Sequence, residues 1–154
     1  MKKVVIVLLC GMFCLPLKAQ IAVNSSVESV KIGGYVGSRI DDCIEKRVKA
    51  QDVEHLVEPF RSRNESHRWQ SEFWGKWIQG AIASYRYTRD AELYEIIKQG
   101  AEGLMATQTS DGYIGNYAPE YQLQQWDVWG RKYSTLGLLA WYDLSGDKRA
   151  LKAA

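Results

Sequence analysis

The sequence has few of the residues that form disulfides or bind metal ions. It contains three cysteines and two histidines. Cys10 and Cys14 lie in an apolar N-terminal stretch, so Cys43 is left without a partner for an internal disulfide. His55 and His67 have no second ligand at helical spacing, and no C-x-x-C pair occurs. The sequence therefore predicts no metal site in this chain, with Cys43 as buried core and His55 as a structural histidine.

A long hydrophobic run is also missing, because the apolar stretch near the N-terminus is too short to span a membrane. The stretch VVIVLLCGMFCLPL follows the basic start MKK and precedes KAQ, which is the layout of a secretory signal. We predict that residues 1–20 are a signal peptide removed near Ala19, that the protein is exported to the periplasm or the extracellular space, and that residues 21–154 are the N-terminal part of one domain.

The chain also lacks an excess of charge of either sign. Loss of Lys2, Lys3 and Lys18 with the signal reduces the 20 basic residues to 17, against 18 acidic ones. A nearly neutral chain has neither the basic surface typical of nucleic-acid binding nor a basic patch for a membrane. The expected partners therefore include neither nucleic acid nor membrane.

What the sequence does have is helical periodicity. Apolar residues at steps of three and four predict amphipathic helices. Residues 21–37, ending in the turn-rich GGYVG, are interpreted as an extended leader. The predicted helices cover about 40–58, 73–87, a segment capped by Asp90, 128–144, and a segment that begins after Gly146–Asp147.

Part of this pattern repeats with an offset of 57 residues, the distance from position 80 to position 137. The repeated positions are Gly80, Ala83, Tyr85 and Asp90, which recur as Gly137, Ala140, Tyr142 and Asp147. The unit is a helical hairpin, so the predicted fold is all-α, a helical-hairpin array that forms a solenoid or a closed toroid. Only one hairpin is predicted to be complete, and an array usually needs about three. We therefore expect the front part of a longer domain, or else an array completed by another chain.

The segment 111–133, DGYIGNYAPEYQLQQWDVWGRKY, combines tyrosines and tryptophans with carboxylates and amides. Aromatic rings stack on the C–H faces of sugars, and the polar groups bind the hydroxyls. A second such cluster opens the helix near residue 73, and the repeat predicts that both clusters lie on one rim. The candidate substrate-binding residues are Trp69, Glu72, Trp74, Asp111, Tyr113, Asn116, Trp126, Asp127 and Arg131.

A structural interpretation of the same residues stays open. The segment 111–133 could be a packed connector between helices. The alternative roles are core packing for Trp74 and Trp129, bridges to carboxylates for Lys76 and Arg131, a helix N-cap for Asp127, and turn geometry for Gly112 and Gly115.

The segments FWGKW, ATQTSDGYIGNYAPE and WDVWGRKYSTLGLLAWYDLSGDKRAL resemble the N-terminal part of the β-L-arabinofuranosidase-like glycoside hydrolases, family 127 and its relatives. The similarity covers about residues 28–154. It implies an (α/α)6 toroid of the six-hairpin glycosidase type, followed by β-sandwich regions. It also implies a retaining enzyme with a cysteine nucleophile held at zinc and a glutamate acid/base. Those residues lie downstream of any position matched here, so no catalytic residue is assigned in this chain, and Cys43 is not a candidate.

One difference from the family concerns Trp126–Asp127, which stand where characterised members carry a histidine–glutamate pair. That histidine belongs to the sugar site, so the difference indicates a divergent branch. The resemblance implies the N-terminal portion of a secreted glycoside hydrolase that acts on plant-type glycans. Such a portion would supply sugar contacts to the rest of its own catalytic domain. It would bind no cofactor itself, whereas the full-length protein could hold zinc. The alternative is a non-enzymatic helical-repeat binding module.

Overall fold

A computed structural model describes residues 30–154, and the predicted signal peptide therefore lies outside the described residues. The elements are α1 (Gly34–Cys43), a π-helix (Ile44–Lys49), α2 (Val53–Ser62), α3 (Glu72–Thr88), α4 (Ala91–Met105), a 3-10 turn (Pro119–Tyr121), α5 (Asp127–Ser145) and α6 (Lys148–Ala153). The only extended pairing in this part of the chain is an isolated bridge between Glu65 and Tyr117. Between residues 30 and 154, no helix has the length and apolar character needed to cross a membrane.

The helices form two layers of consecutive hairpins. α3 packs on the π-helix on one side and most extensively on α5 on the other, while α4 packs between α2 and α6. Within the two hairpins, α3 contacts α4 and α5 contacts α6. The prediction of an all-α helical-hairpin array is therefore confirmed, and the arrangement agrees with a toroidal glycosidase fold.

The 57-residue repeat appears in the structure as two equivalent turns. α4 and α6 begin 57 residues apart, at Ala91 and Lys148. The side chains of Asp90 and Asp147 accept hydrogen bonds from backbone amides in the first turns of these helices, as the sequence predicted. The residues before them, Arg89 and Gly146, both end their helices in the left-handed conformation, with φ of 60° and 73°.

Glycines let α3 and α5 approach each other closely. A Cβ added at Gly75 would overlap the backbone carbonyl of Tyr133. A Cβ added at Gly137 would lie 2.5 Å from Cζ3 of Trp74 and 2.7 Å from Cγ2 of Ile78. Because Trp74 and Ile78 are completely buried, the contact between α3 and α5 leaves no space for a larger residue at position 137.

The structure divides the helix predicted over 40–58. The chain turns at residues 50–52, and a new helix, α2, begins after Asp52, whose carboxylate accepts a hydrogen bond of 3.0 Å from the amide of His55. Pro59 lies inside α2 rather than ending it. The prediction was wrong because the apolar spacing continues across the turn, while a local N-cap interrupts the helix. A helical pair therefore precedes α3, and the described array is longer than the one hairpin expected.

Three smaller expectations near the first helices were also wrong. The GGYVG segment is the start of α1, and Gly37 packs so closely on the backbone carbonyl of Ile32 that a side chain would collide with it. Cys43 is exposed, because the packed stripe of this helical segment runs through Ile44 at steps of four residues and Cys43 lies beside it. His55 is exposed as well.

Candidate functional site

A buried hydrogen-bond network fastens the loop 111–126 to the start of α5. The Tyr113 hydroxyl donates to Oδ1 of Asp127 over 2.8 Å and accepts from the amide of Tyr117 at 3.1 Å. Oδ2 of Asp127 accepts from the amide of Leu123 at 2.7 Å. Burial, and then the neighbouring Asp127 carboxylate, raises the pKa of Tyr113, so its hydroxyl stays protonated and keeps donating.

This network decides the role of Asp127. Asp127 is the first residue of α5, and the preceding residue, Trp126, is the N-cap without a side-chain cap bond. The Asp127 side chain is fully buried and turned back to the loop. The N-cap interpretation of Asp127 is therefore wrong, and its carboxylate holds the loop rather than the helix end.

A second set of bonds brings the loop to the segment before α3. The amide of Glu65 donates to the Asn116 carbonyl at 3.1 Å, and the Ala118 amide donates back to the Glu65 carbonyl at 3.0 Å. The Tyr117 hydroxyl donates to the carbonyl of Arg68 at 3.0 Å. Because Arg68 immediately precedes Trp69, these bonds place Trp69 beside the start of α5.

The two predicted clusters meet in a cleft of about 360 Å³, which we call the aromatic cleft; it is lined by Trp69, Glu72, Lys76, Trp126 and Trp129. Trp126 meets Trp69 on one side and Trp129 on the other, both edge to face with ring centroids 6.2 Å apart. Trp69 is 51% exposed and Trp126 is 44% exposed, so a ligand can reach both rings.

The carboxylate of Glu72 lies at the centre of the polar contacts in the aromatic cleft. Lys76 donates to Oε1 at 2.7 Å, and the indole N–H of Trp129 donates to Oε2. Burial by itself would raise the pKa of Glu72, but the hydrogen bonds from Lys76 and Trp129 and the charges of Lys76 and Lys132 together lower it. Glu72 is therefore a carboxylate at neutral pH and fixes the ring of Trp129.

The remaining predicted residues divide between interior and surface. Trp74 is completely buried and donates from Nε1 to the carbonyl of Gly100 at 3.0 Å, so its core interpretation is confirmed. Tyr113, Asn116 and Asp127 are buried too, and a sugar cannot touch them directly in this structure. Their place in the interior reflects the packing of the loop against α5, which the sequence pattern does not show.

Two surface candidates lie outside the aromatic cleft. Asp111 is exposed and accepts a hydrogen bond from the hydroxyl of Thr109. The guanidinium of Arg131 lies 5.5 Å from the centre of the Tyr113 ring, so it stacks on an aromatic ring rather than bridging to a carboxylate. Gly112 has a φ of 92°, which confirms its role in the turn.

Sequence reasoning missed two residues that extend the aromatic cleft along α5. Tyr133 packs edge to face on Trp129 with centroids 5.4 Å apart. The ammonium of Lys132 lies 3.6 Å from the centre of the Trp129 ring and 4.3 Å from that of Tyr133. Steps of three and four residues from Trp129 could have indicated both, since such residues are neighbours on a helix surface.

The described residues do not fit a zinc site. In the range 30–154, no group of three or more His, Cys, Asp or Glu side chains comes together in a way that could hold a metal ion. The exposed Cys43 lies among Arg39, Lys46, Arg47 and a single acidic residue, Asp42, which is ion-paired with Arg39 and Lys46. No step proposed below therefore involves a metal.

Comparison with known proteins identifies the family. The family model described as the β-L-arabinofuranosidase, GH127 catalytic domain, matches residues 26–154. The chain belongs to this family. Its function is therefore of the glycoside hydrolase type, and carbohydrate is the expected class of substrate. No curated protein and no solved structure matches the chain.

Proposed function

We propose that this protein contributes the sugar contacts of an exported glycoside hydrolase, which cleaves plant-type glycans as a β-L-arabinofuranosidase does. In this proposal the aromatic cleft holds the sugar. One observation supports this above the others. Two half-exposed tryptophans, Trp69 and Trp126, stand beside the carboxylate of Glu72 in one cleft, on a chain of a glycosidase family. Export rests on the signal-like pattern of residues 1–20.

The chemistry of the cleft suits a sugar ring. Trp69 and Trp126 offer apolar surface for the C–H faces of the ring. A carboxylate has about four acceptor positions. Lys76 and Trp129 occupy two of those on Glu72. The Glu72 side chain is only 10% exposed, but unlike buried Tyr113 it lines the cleft, where a free position can accept from a sugar hydroxyl. Lys76 is about half exposed and has N–H donors left for a ring or hydroxyl oxygen.

The proposed role is to position the sugar, not to cleave the bond. A general acid must carry a proton at working pH, and the lowered pKa of Glu72 keeps this group ionised. Retaining hydrolysis also needs a nucleophile on the opposite side of the scissile bond. We assign both functions, and the zinc that the family resemblance implies, to residues outside the described part of the chain.

The test is binding of a neutral arabinofuranose-containing oligosaccharide to the purified chain by isothermal titration calorimetry. Trp126→Ala should weaken binding about tenfold, since one aromatic stacking contact contributes up to roughly 1.5 kcal/mol. Tyr35→Ala is the matched control, because Tyr35 is 80% exposed on α1 and does not line the cleft. Equal affinities for wild type and Trp126→Ala would refute the placement of the sugar.

A second candidate is a module that binds glycan without cleaving it. The observation that favours it is that Glu72, the carboxylate lining the aromatic cleft, is held ionised by its partners. Both candidates predict that the chain alone does not hydrolyse an aryl arabinofuranoside, and hydrolysis would refute the roles assigned here. Sequencing the coding region beyond Ala154 separates them, since a Glu-x-Cys segment followed by paired cysteines favours the enzyme and a stop codon favours the module.

A further inference from the structure

The aromatic cleft adjoins a lysine whose charge is not neutralised by an ion pair. The ammonium of Lys132 lies 3.6 Å from the centre of the Trp129 ring and 4.3 Å from that of Tyr133. Across residues 30–154, no carboxylate comes within 4.0 Å of it, whereas Lys76 has Glu72 at 2.7 Å. An aromatic face attracts an ammonium but carries no net charge, so the positive charge of Lys132 remains.

The charges around the cleft therefore do not balance. Lys76 matches the single negative charge of Glu72, and Lys132 adds a positive charge close enough to contribute to the lowered pKa of Glu72. The two rings hold the lysine in place beside the cleft. The ammonium has three N–H donors, none of which makes a hydrogen bond to another described residue.

We propose that the glycan bound in the aromatic cleft carries a carboxylate, as a uronic acid residue does, and that Lys132 pairs with this carboxylate. The inference rests on the proposed function, because it concerns the same cleft. A sugar ring on Trp126 lies one aromatic ring away from Lys132, since Trp126 and Trp129 are in contact and Lys132 covers Trp129. The acidic residue is therefore the neighbour of the sugar that stacks on Trp126.

The experiment compares two probes that differ in one charge. The first is a pectic oligosaccharide with a single galacturonate residue, and the second is the same oligosaccharide with that carboxylate methyl-esterified. Each is titrated into the purified chain by calorimetry at low salt. We expect the acid to bind about two- to fivefold tighter than the ester, as for a solvent-exposed ion pair. This preference should fade as added salt screens the pair.

Two lysine variants assign the preference to one side chain. Lys132→Gln should bring the affinity for the acid down to that for the ester. Lys148→Gln, which removes a charge at the start of α6, beyond the far end of α5, should retain the preference of the wild type. Thermal melts of both variants check that they are folded. A preference that survives in Lys132→Gln, or is lost equally in Lys148→Gln, would overturn the role of Lys132.

The outcomes separate this inference from the proposed function. If the wild type binds acid and ester equally well, the inference is wrong and the sugar site stands. If the wild type binds neither probe nor the neutral arabinofuranose-containing oligosaccharide, both are wrong. A preference for the acid that requires both Lys132 and low salt supports the inference.

Discussion

Two glycines that are equivalent in the repeat should respond in opposite ways to the same substitution. Gly80 lies in α3 and Gly137 lies in α5, 57 residues apart. A Cβ at Gly80 would meet nothing within 4 Å, whereas a Cβ at Gly137 would meet the side chains of Trp74 and Ile78 at 2.5 and 2.7 Å. Alanine at each position therefore tests the tertiary packing separately from helix propensity.

The magnitudes follow from these contacts. Alanine in place of glycine inside a helix stabilises the folded state by about 0.5–1 kcal/mol, and Gly80→Ala should show this gain in full. Gly137→Ala has the same gain, but overpacking of a tight core costs about 1–3 kcal/mol. Trp74 and Ile78 are completely buried and Trp74 is tied by its indole N–H to Gly100, so neither can move aside cheaply. A net loss of about 1–2 kcal/mol is expected.

The measurement is urea unfolding followed by circular dichroism, with thermal melts as a second readout. At about 2–4 °C per kcal/mol for a chain of this size, Gly80→Ala should raise Tm and Gly137→Ala should lower it. Equal shifts in the two variants would refute the close packing of α5 on α3. A loss of stability in Gly80→Ala would refute the open surroundings of Gly80.

Substitutions at three further positions test the site and its support. Tyr113→Phe should lower the free energy of unfolding by about 1–3 kcal/mol, because buried Asp127 loses its hydroxyl donor; an unchanged urea midpoint would contradict the network. Asp90→Ala should lower it by about 1 kcal/mol, whereas Asp90→Asn, which retains a capping oxygen, should lose less; equal losses would contradict the cap. Because the folded-state pKa of Glu72 is lowered, its contribution is present above its unfolded pKa of about 4.3 and is lost as the pH falls through the folded value. The difference in unfolding free energy between wild type and Glu72→Gln should therefore shrink below about pH 5, and a difference independent of pH would contradict this.

Much of the fold could be predicted from local signals. Asp90 and Asp147 cap helices in the structure as expected, and α3 and α5 begin and end within one residue of the predicted bounds. The break at residues 50–52 was missed because apolar spacing carried across it, although Asp52 is a residue of the same capping type. Periodicity reports the exposed and buried sides of a segment, and it does not show where a short turn interrupts the segment.

The candidate site was harder to predict. Sequence composition marked Trp69, Trp74 and Trp126 alike, yet Trp74 is core while the other two are half exposed in the aromatic cleft. Lys132 was overlooked because a lysine on a helix surface is usually only solvated, and its position over Trp129 depends on the rotamers of both side chains. The zinc and the export signal stay predictions about residues outside those described.

The sequence by itself determined the helices α3 to α6, the caps at Asp90 and Asp147 and the 57-residue period, because these depend on hydrogen bonds and side-chain spacings within a few residues along the chain. The tertiary structure decided which aromatic rings are open to a ligand and which are core. It also decided that Gly80 faces open space while its repeat equivalent Gly137 faces Trp74. Burial depends on contacts between α3, α5 and the loop before α5, and residues far apart in sequence make those contacts.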